Sequence, residues 1–192
     1  MSNRTQPNRN LNILSYPKLL SLKEPSGTQG QNDYIWSLAP FPEDPRLLAT
    51  SDSDGYITIW DLNQCQDINP SRKLNEHEPI EQKCEPHDHW RASEKSVRSI
   101  AGLDIVNSNR SRQLVSAGDD GRLVVWPLTV DNKLDRQKTS AKEQGIYTGQ
   151  EIYKSDNKLN SIDMRKNNQT GEIMIVSGGD DFKVKLHRLP SP

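Results

Sequence analysis

The stretch Leu48-Ala-Thr-Ser-Asp-Ser-Asp-Gly-Tyr-Ile-Thr-Ile-Trp-Asp-Leu62 decides the fold, because two further copies align with it without gaps. They are Leu114-Val-Ser-Ala-Gly-Asp-Asp-Gly-Arg-Leu-Val-Val-Trp-Pro-Leu128 and Ile175-Val-Ser-Gly-Gly-Asp-Asp-Phe-Lys-Val-Lys-Leu-His-Arg-Leu189. Each copy is a short apolar run, a turn of Asp, Gly and Ser, and a second run rich in β-branched residues. That pattern is typical of a β-hairpin. Three copies at a long period indicate a repeat architecture.

A short additional strand is predicted before each hairpin, also in register. The three candidates share a central serine and read Ile35-Trp-Ser-Leu38, Val97-Arg-Ser-Ile100 and Leu159-Asn-Ser-Ile162. The polar stretches between the units could each hold a fourth strand, around Arg72–Leu74 and around Gln150–Tyr153. The repeated unit is therefore a small antiparallel sheet of three or four strands.

At this point the sequence resembles the WD-repeat family, which builds β-propellers from four-stranded blades. The resemblance covers roughly residues 30–189 and rests on a small residue, a turn Asp and a Trp at fixed spacing. The resemblance implies that these residues form a structural network inside each blade. The matching positions are Thr50, Asp54 and Trp60; Ser116, Asp120 and Trp126; and Ser177, Asp181 and His187. In the third unit His187 stands where Trp is expected, and Phe182 stands where the turn glycine is expected.

The expected fold is therefore all-β: three four-stranded antiparallel blades whose ring is incomplete in one chain. By the family's topology, a strand at about 18–22 would complete the last blade. Propellers typically have 4–8 blades. The predicted shortfall leaves two explanations open, self-association that completes a ring, or a chain that is part of a longer propeller.

The predicted organisation is a disordered tail at residues 1–10 and a repeat segment at 11–192. Its units cover about 30–74, 96–153 and 159–189. The repeats are longer than the family's usual period, and two inserts, at 75–95 and 129–145, account for the excess. The second insert is rich in charged residues and is predicted to be a solvated loop.

Composition and charge exclude several function classes. The chain carries 25 Lys and Arg against 26 Asp and Glu, which argues against binding nucleic acid or a membrane surface by bulk charge. No apolar run approaches the roughly 18 residues of a membrane span. Cys65 and Cys84 are too few to indicate a disulfide framework, so a reducing, cytoplasmic location is the expectation.

A metal site is the sharpest chemical alternative. The first insert contains three of the chain's four histidines, and its candidate ligands are His77, Cys84, His87 and His89. Thiolate and imidazole are ligands that suit zinc. The competing interpretation is an acidic surface loop that happens to be rich in histidine, and no cofactor is predicted on that interpretation.

Two tryptophans outside the repeated motif are candidate partner contacts. Trp36 lies in a predicted strand, where packing between blades is the competing interpretation. Trp90 lies in the first insert and is the better candidate for contact with a partner. No phosphate-binding loop or nucleophile elbow occurs, so no catalytic residue and no enzymatic activity are predicted.

The expected function is therefore a non-enzymatic scaffold for protein–protein interactions, with other proteins as partners. This expectation rests on the family resemblance, because a fold does not by itself determine a function. One alternative is a sensor or regulatory C-terminal fragment of a larger WD-repeat effector protein. Another is a metal-binding module built on residues 75–95.

Overall fold

A computed structural model describes residues 19–22, 34–67, 81–104, 112–141, 145–167 and 169–189 of the 192. Sixteen strands and one short 3-10 turn, Leu62–Gln64, make up its regular structure. Among the described residues no helix has the length and hydropathy needed to cross a bilayer. The strands are β1 Leu19–Leu22, β2 Ile35–Phe41, β3 Asp44–Asp52, β4 Tyr56–Asp61, β5 Gln66–Asp67, β6 Glu81–Cys84, β7 Pro86–Arg91, β8 Val97–Asp104, β9 Arg112–Gly118, β10 Arg122–Leu128, β11 Ser140–Ala141, β12 Tyr147–Thr148, β13 Gln150–Lys154, β14 Leu159–Lys166, β15 Ile173–Gly179 and β16 Val184–Leu189.

Three antiparallel sheets form the body of the chain. The first sheet has the order β2-β3-β4-β7, and the second sheet has the equivalent order β8-β9-β10-β13. The third sheet contains β14-β15-β16 within the described residues. Each of the three repeated stretches forms one hairpin of its sheet, and two of the sheets have four strands, so the expectation of an all-β fold with four-stranded antiparallel sheets is confirmed.

The sheets pack face against face, and the hydrophobic core lies between them. One buried cluster joins the first sheet to the second, with Ile57, Ile59 and Trp90 on one side and Leu114 and Trp126 on the other. A second cluster joins the second sheet to the third through side chains of both. Strand β8 packs on β2 and β3, and β14 packs on β8 and β9 in the same way. The second sheet therefore packs on the first in the same way as the third sheet packs on the second.

The serine shared by the leading strands links neighbouring sheets. The hydroxyl of Ser37 accepts a hydrogen bond from the backbone N–H of Ile100 at 3.2 Å. The hydroxyl of Ser99 accepts the equivalent bond from Ile162 at 3.1 Å. These bonds fix the offset between successive sheets, because each satisfies a backbone N–H on the strand that packs across the interface.

The hairpin turns depend on glycine in the first two sheets. Gly55 has φ +87° and Gly121 has φ +73°, a region that glycine enters without steric cost. A Cβ on Gly121 would lie 2.2 Å from the carbonyl oxygen of Ser155, in the segment that follows β13. Phe182 holds this place in the third sheet with φ 59°, and its side chain is 99% exposed. The turn therefore needs glycine where the chain returns close beside it.

The fourth strand of the first sheet is not where the sequence pattern placed it. Strand β7 pairs with β4, with Ile57 opposite Trp90 and Thr58 opposite His89. Residues 86–91 therefore belong to the first sheet, and the prediction of an insert over 75–95 is wrong for these residues. The alternation was hidden because Trp90 is the one fully buried residue of β7, and the charged Asp88 precedes it on the same face. The alternative position, Arg72–Leu74, lies outside the described residues. The second sheet's fourth strand, β13, lies at Gln150–Lys154.

The predicted closing strand at 18–22 also has a different partner. Leu19–Leu22 pair in parallel with Glu81–Cys84 and not with β16. Strand β5 pairs with the other edge of β6, which gives a small separate sheet of order β1-β6-β5. The physical reason is that β5 occupies one edge of β6 and leaves the other edge open to β1, whose backbone groups pair there. Residues 1–10, the predicted disordered tail, lie outside the described residues.

Residues 129–141 are more ordered than a solvated loop. Leu134 is buried in the cluster between the first and second sheets and forms a bridge with Leu128. Its backbone N–H donates to the Asp88 carboxylate at 2.7 Å. The prediction of a solvated loop is therefore wrong at Leu134, because one apolar side chain anchors a segment that is otherwise polar.

Candidate interaction site

The small residue and the Trp of the repeated motif meet inside each sheet. The indole N–H of Trp60 donates to the Thr50 hydroxyl at 2.9 Å. The indole N–H of Trp126 donates to the Ser116 hydroxyl at 2.8 Å. Both pairs are buried, so the bond satisfies an indole N–H that would otherwise lie unpaired in the core.

The third sheet keeps this contact with a different residue. The imidazole Nε2 of His187 and the hydroxyl of Ser177 share a hydrogen bond at 2.9 Å. The His187 ring also lies 4.9 Å from the ring of Tyr153 on the second sheet. Histidine thus reproduces the polar contact of Trp with a smaller apolar surface.

This substitution predicts a pH dependence of stability. Burial, and then the charge of Lys185, lower the pKa of His187 below its ordinary value of 6.5. The unfolded chain therefore binds a proton more readily, and the fold loses stability as the pH falls through 6.5. We expect the thermal midpoint to fall from pH 7.5 to pH 5.5, and to fall less in His187→Gln. An equal fall of the thermal midpoint in the wild-type chain and in His187→Gln would contradict the assignment of this pH dependence to His187.

The aspartate of the motif has different partners in the three turns. The Asp120 carboxylate accepts from the Arg122 N–H at 3.0 Å and from the Ser93 hydroxyl at 2.9 Å. The Asp181 carboxylate accepts from the Lys183 N–H at 3.2 Å and pairs with the ammonium group of Lys185. Two of the motif aspartates therefore hold the backbone of their own turn.

In the first turn, a residue outside the repeated motif also holds the backbone. The carboxylate of Asp52 accepts from the N–H groups of Asp54 and Tyr56, at 3.0 and 2.8 Å. Asp52 therefore supports this turn from a position two residues before the motif aspartate Asp54. The signal was present, because Asp commonly accepts from the backbone two residues onward.

The proposed metal ligands are not brought together. Cys84 forms a disulfide with Cys65, so its thiolate is not free for a metal, and the expectation of two reduced cysteines is wrong. His89 shares a hydrogen bond with Thr58 at 2.9 Å and stacks on Tyr56, while His87 bonds to the Asp131 carbonyl. Across the described ranges no group of three His, Cys, Asp or Glu is close enough to hold a metal. His77 lies outside those ranges.

Trp90 is not a surface residue. It is buried between the first and second sheets, with its ring 5.9 Å from that of Trp126. Its indole N–H is buried and has no hydrogen-bond partner among the residues that the structure describes. The prediction of a partner contact at Trp90 is therefore wrong, because β7 turns this side chain towards the core.

Trp36 does lie on the surface, where the first and second sheets meet. The Arg98 guanidinium lies 4.2 Å from the centre of its ring, and the Tyr34 ring lies 6.2 Å away. The Trp36 side chain is 44% exposed, and Tyr34 is also exposed. We call Tyr34, Trp36 and Arg98 the aromatic-arginine patch.

Arg98 is held in place by Asp119, which belongs to the same sheet. Its Nε and a terminal nitrogen donate to the Asp119 carboxylate at 2.7 and 3.1 Å. Lys158 contributes a second cation to Asp119 at 3.0 Å. The Arg98 hydrogen bonds, aided by Lys158 and opposed by burial, lower the pKa of Asp119 below its ordinary value. The bidentate pair keeps the guanidinium plane fixed against the indole.

A family comparison agrees with this repeated unit. The family model described as WD domain, G-beta repeat matches residues 23–61 and 83–127. The chain contains WD repeats in these two stretches. Of the solved structures, "Crystal structure of WD40 beta propeller domain of Doa1" matches at a TM-score of 0.47 and 18% identity. The match covers 81% of this chain and 37% of that chain. No curated protein matches the chain.

WD repeats have a general functional meaning. WD-repeat domains mediate protein–protein interactions and typically act as non-catalytic scaffolds. The family match includes the strands that carry Trp36 and Arg98. The aromatic-arginine patch is thus part of the repeat framework itself.

Proposed function

We propose that this WD-repeat chain is a non-catalytic scaffold that binds a protein partner through the aromatic-arginine patch. The observation that carries the proposal is Trp36, a large aromatic side chain that stays 44% exposed while Arg98 and Asp119 hold its surroundings rigid. Trp, Tyr and Arg are the residues most enriched at the centres of protein interfaces. A rigid patch also loses little conformational entropy on binding.

The finer expectations are part of this proposal. Partners are other proteins, and a second copy of the chain is one of them. A cytoplasmic location remains an expectation from composition, and the Cys65–Cys84 disulfide weighs against it because disulfides are rare in reducing compartments.

A photo-crosslinking experiment tests the patch. We would place p-benzoylphenylalanine at position 36, irradiate in cells, and identify the crosslinked proteins by mass spectrometry. Val130 supplies the matched control site, because it is exposed and lies after β10, outside the strands that carry Trp36 and Arg98. We expect a discrete set of crosslinked proteins at position 36 that is absent at position 130.

The Arg98→Lys variant tests whether crosslinking at position 36 depends on the Arg98 guanidinium. It keeps the positive charge and loses the planar, bidentate contact with Asp119. We expect the yield of the crosslinked partner at position 36 to fall about tenfold. Arg136→Lys is the matched control, because Arg136 also lies over an aromatic ring and pairs with an aspartate, Asp88. Identical crosslinking at positions 36 and 130 would overturn the proposal.

A further inference from the structure

Nearly all the large exposed apolar side chains lie at the two ends of the row of sheets. In the described part of the chain, eight of the nine large exposed apolar side chains lie at these ends, and Val130 is the exception. Four lie at the start of the first sheet and four on the third sheet. They are Tyr34, Ile35, Trp36 and Leu38, and Val176, Phe182, Val184 and Leu186.

Three of the residues on the third sheet match residues that a neighbouring sheet covers elsewhere. Val176, Val184 and Leu186 align with Val115, Leu123 and Val125 of the second sheet, which are buried under the third sheet. They also align with Ala49, Ile57 and Ile59, buried under the second sheet. Yet Val184 is 81% exposed and Leu186 is 54% exposed. The outer face of the third sheet is thus a docking face that nothing described covers.

The first sheet carries the opposite half of the same interface. Ile35 and Leu38 align with Val97 and Ile100, which are buried against the first sheet, and with Leu159 and Ile162, which are buried against the second. In the first sheet both side chains are exposed, Leu38 by 60%. The leading strand β2 therefore presents the side chains with which β8 and β14 pack on the sheet before them.

The polar link between sheets is repeated as well. Ser37 and Ser99 each accept a backbone N–H from the following sheet. Ser161 is the third serine of this series, and its side chain lies exposed on β14. The outer face of the third sheet thus has the hydroxyl that would accept from a leading strand in the same position.

We infer that β2 of a second copy packs on β14 and β15, and that two copies close head to tail into one ring of six sheets. This interface continues the one that already joins the three sheets of each chain, so no new type of contact is needed. A ring of six lies within the 4–8 blades that propellers use. Head-to-tail contacts that close upon themselves give a finite assembly. The inference extends the proposed scaffold function by adding a second copy as partner.

The test measures mass in solution by light scattering coupled to size exclusion. The wild-type chain of 21.8 kDa should elute as a dimer. Val184→Glu and Leu38→Glu should each raise the dimer dissociation constant at least about 100-fold, because a carboxylate would be buried unpaired. Val130→Glu, a matched change at an exposed valine away from both ends, should remain a dimer. Circular dichroism should show unchanged folding, because both altered side chains are exposed in the single chain.

Mixing distinguishes a head-to-tail ring from other dimers. The Val184→Glu chain keeps its first-sheet face, and the Leu38→Glu chain keeps its third-sheet face. An equimolar mixture should therefore restore a dimer through one intact interface, although each variant alone is monomeric. A wild-type monomer would overturn the inference and leave the face to another protein or to a further repeat. So would a dimer that only Val184→Glu dissociates, which would indicate two third sheets packed together.

The two tests share the start of the first sheet, because Tyr34 and Trp36 belong to both the aromatic-arginine patch and the exposed group beside β2. The identity of the crosslinked protein separates them: a crosslink from position 36 to a second copy supports the ring, and a crosslink to another protein supports the proposed partner surface. A monomeric wild type that still crosslinks to a partner would overturn only the ring.

Discussion

Trp126→Ala should destabilise the chain by about 3–5 kcal/mol, the usual cost of removing a fully buried aromatic ring. Trp126 packs in the cluster that joins the first and second sheets, close to Trp90. Its removal would leave a cavity between two sheets and would also leave the Ser116 hydroxyl without its indole donor. Chemical denaturation monitored by circular dichroism measures the loss.

Two further variants separate the causes. Trp126→Phe keeps most of the ring and loses the hydrogen bond to Ser116, so we expect a loss of about 1–3 kcal/mol from the unpaired buried hydroxyl. Trp36→Ala is the same substitution at an exposed site and should change stability by less than about 1 kcal/mol. If Trp126→Ala were as mild as Trp36→Ala, the interface between the first and second sheets would be wrongly assigned.

Gly121→Ala should cost about 2–5 kcal/mol. The left-handed φ of +73° disfavours any side chain by about 1–2 kcal/mol, and displacing packed backbone adds about 1–3 kcal/mol. The new methyl group would meet the carbonyl oxygens of Ser155 and Asn157, at 2.2 and 2.7 Å. A hydrogen bond from the Ser155 N–H to the Gly121 carbonyl, at 2.8 Å, holds these two segments close together. The loss is measured by the same denaturation experiment.

Gly145 provides the matched control. Its φ of +72° is nearly the same, and a Cβ there would meet no atom of the described residues within 4 Å. Gly145→Ala should therefore show only the conformational cost, about 1–2 kcal/mol. The excess cost at Gly121 measures how tightly the returning chain packs on the turn. Equal losses at the two glycines would mean that this close approach does not occur in solution.

Trp36 and Trp90, the two candidate partner contacts, differ in exposure for a common reason. Both Trp36 and Trp90 lie in strands, and successive side chains of a strand point to opposite faces. Only the neighbour of each strand determines which face is buried. Trp90 lies opposite Ile57 in β4 and is covered by the second sheet, whereas Trp36 meets the edge of that sheet at Arg98. Neither neighbour can be identified from the spacing of residues along the chain.

The spacing of the repeated motif, and the departure from it at Phe182, each have a structural reason. The spacing of Trp60 from Thr50, and of Trp126 from Ser116, places each pair across one hairpin, because antiparallel register follows from the length of the turn. Phe182 replaces a glycine where no described segment returns beside the turn, and its side chain is almost fully exposed. The replacement of the turn glycine by Phe182 thus reflects a difference in the segments that surround the turn.

The sequence by itself determined the three hairpins, their order and the family, because alternation, turn residues and repetition are properties of neighbouring positions. The tertiary structure alone decided three other points: that residues 86–91 complete the first sheet, that Cys65 bonds to Cys84, and that Leu134 is buried. Each depends on which distant segments meet, and that choice is made by packing free energy summed over whole sheet faces. For the same physical reason Leu38 and Val184 look like core residues in the sequence and lie exposed in the structure.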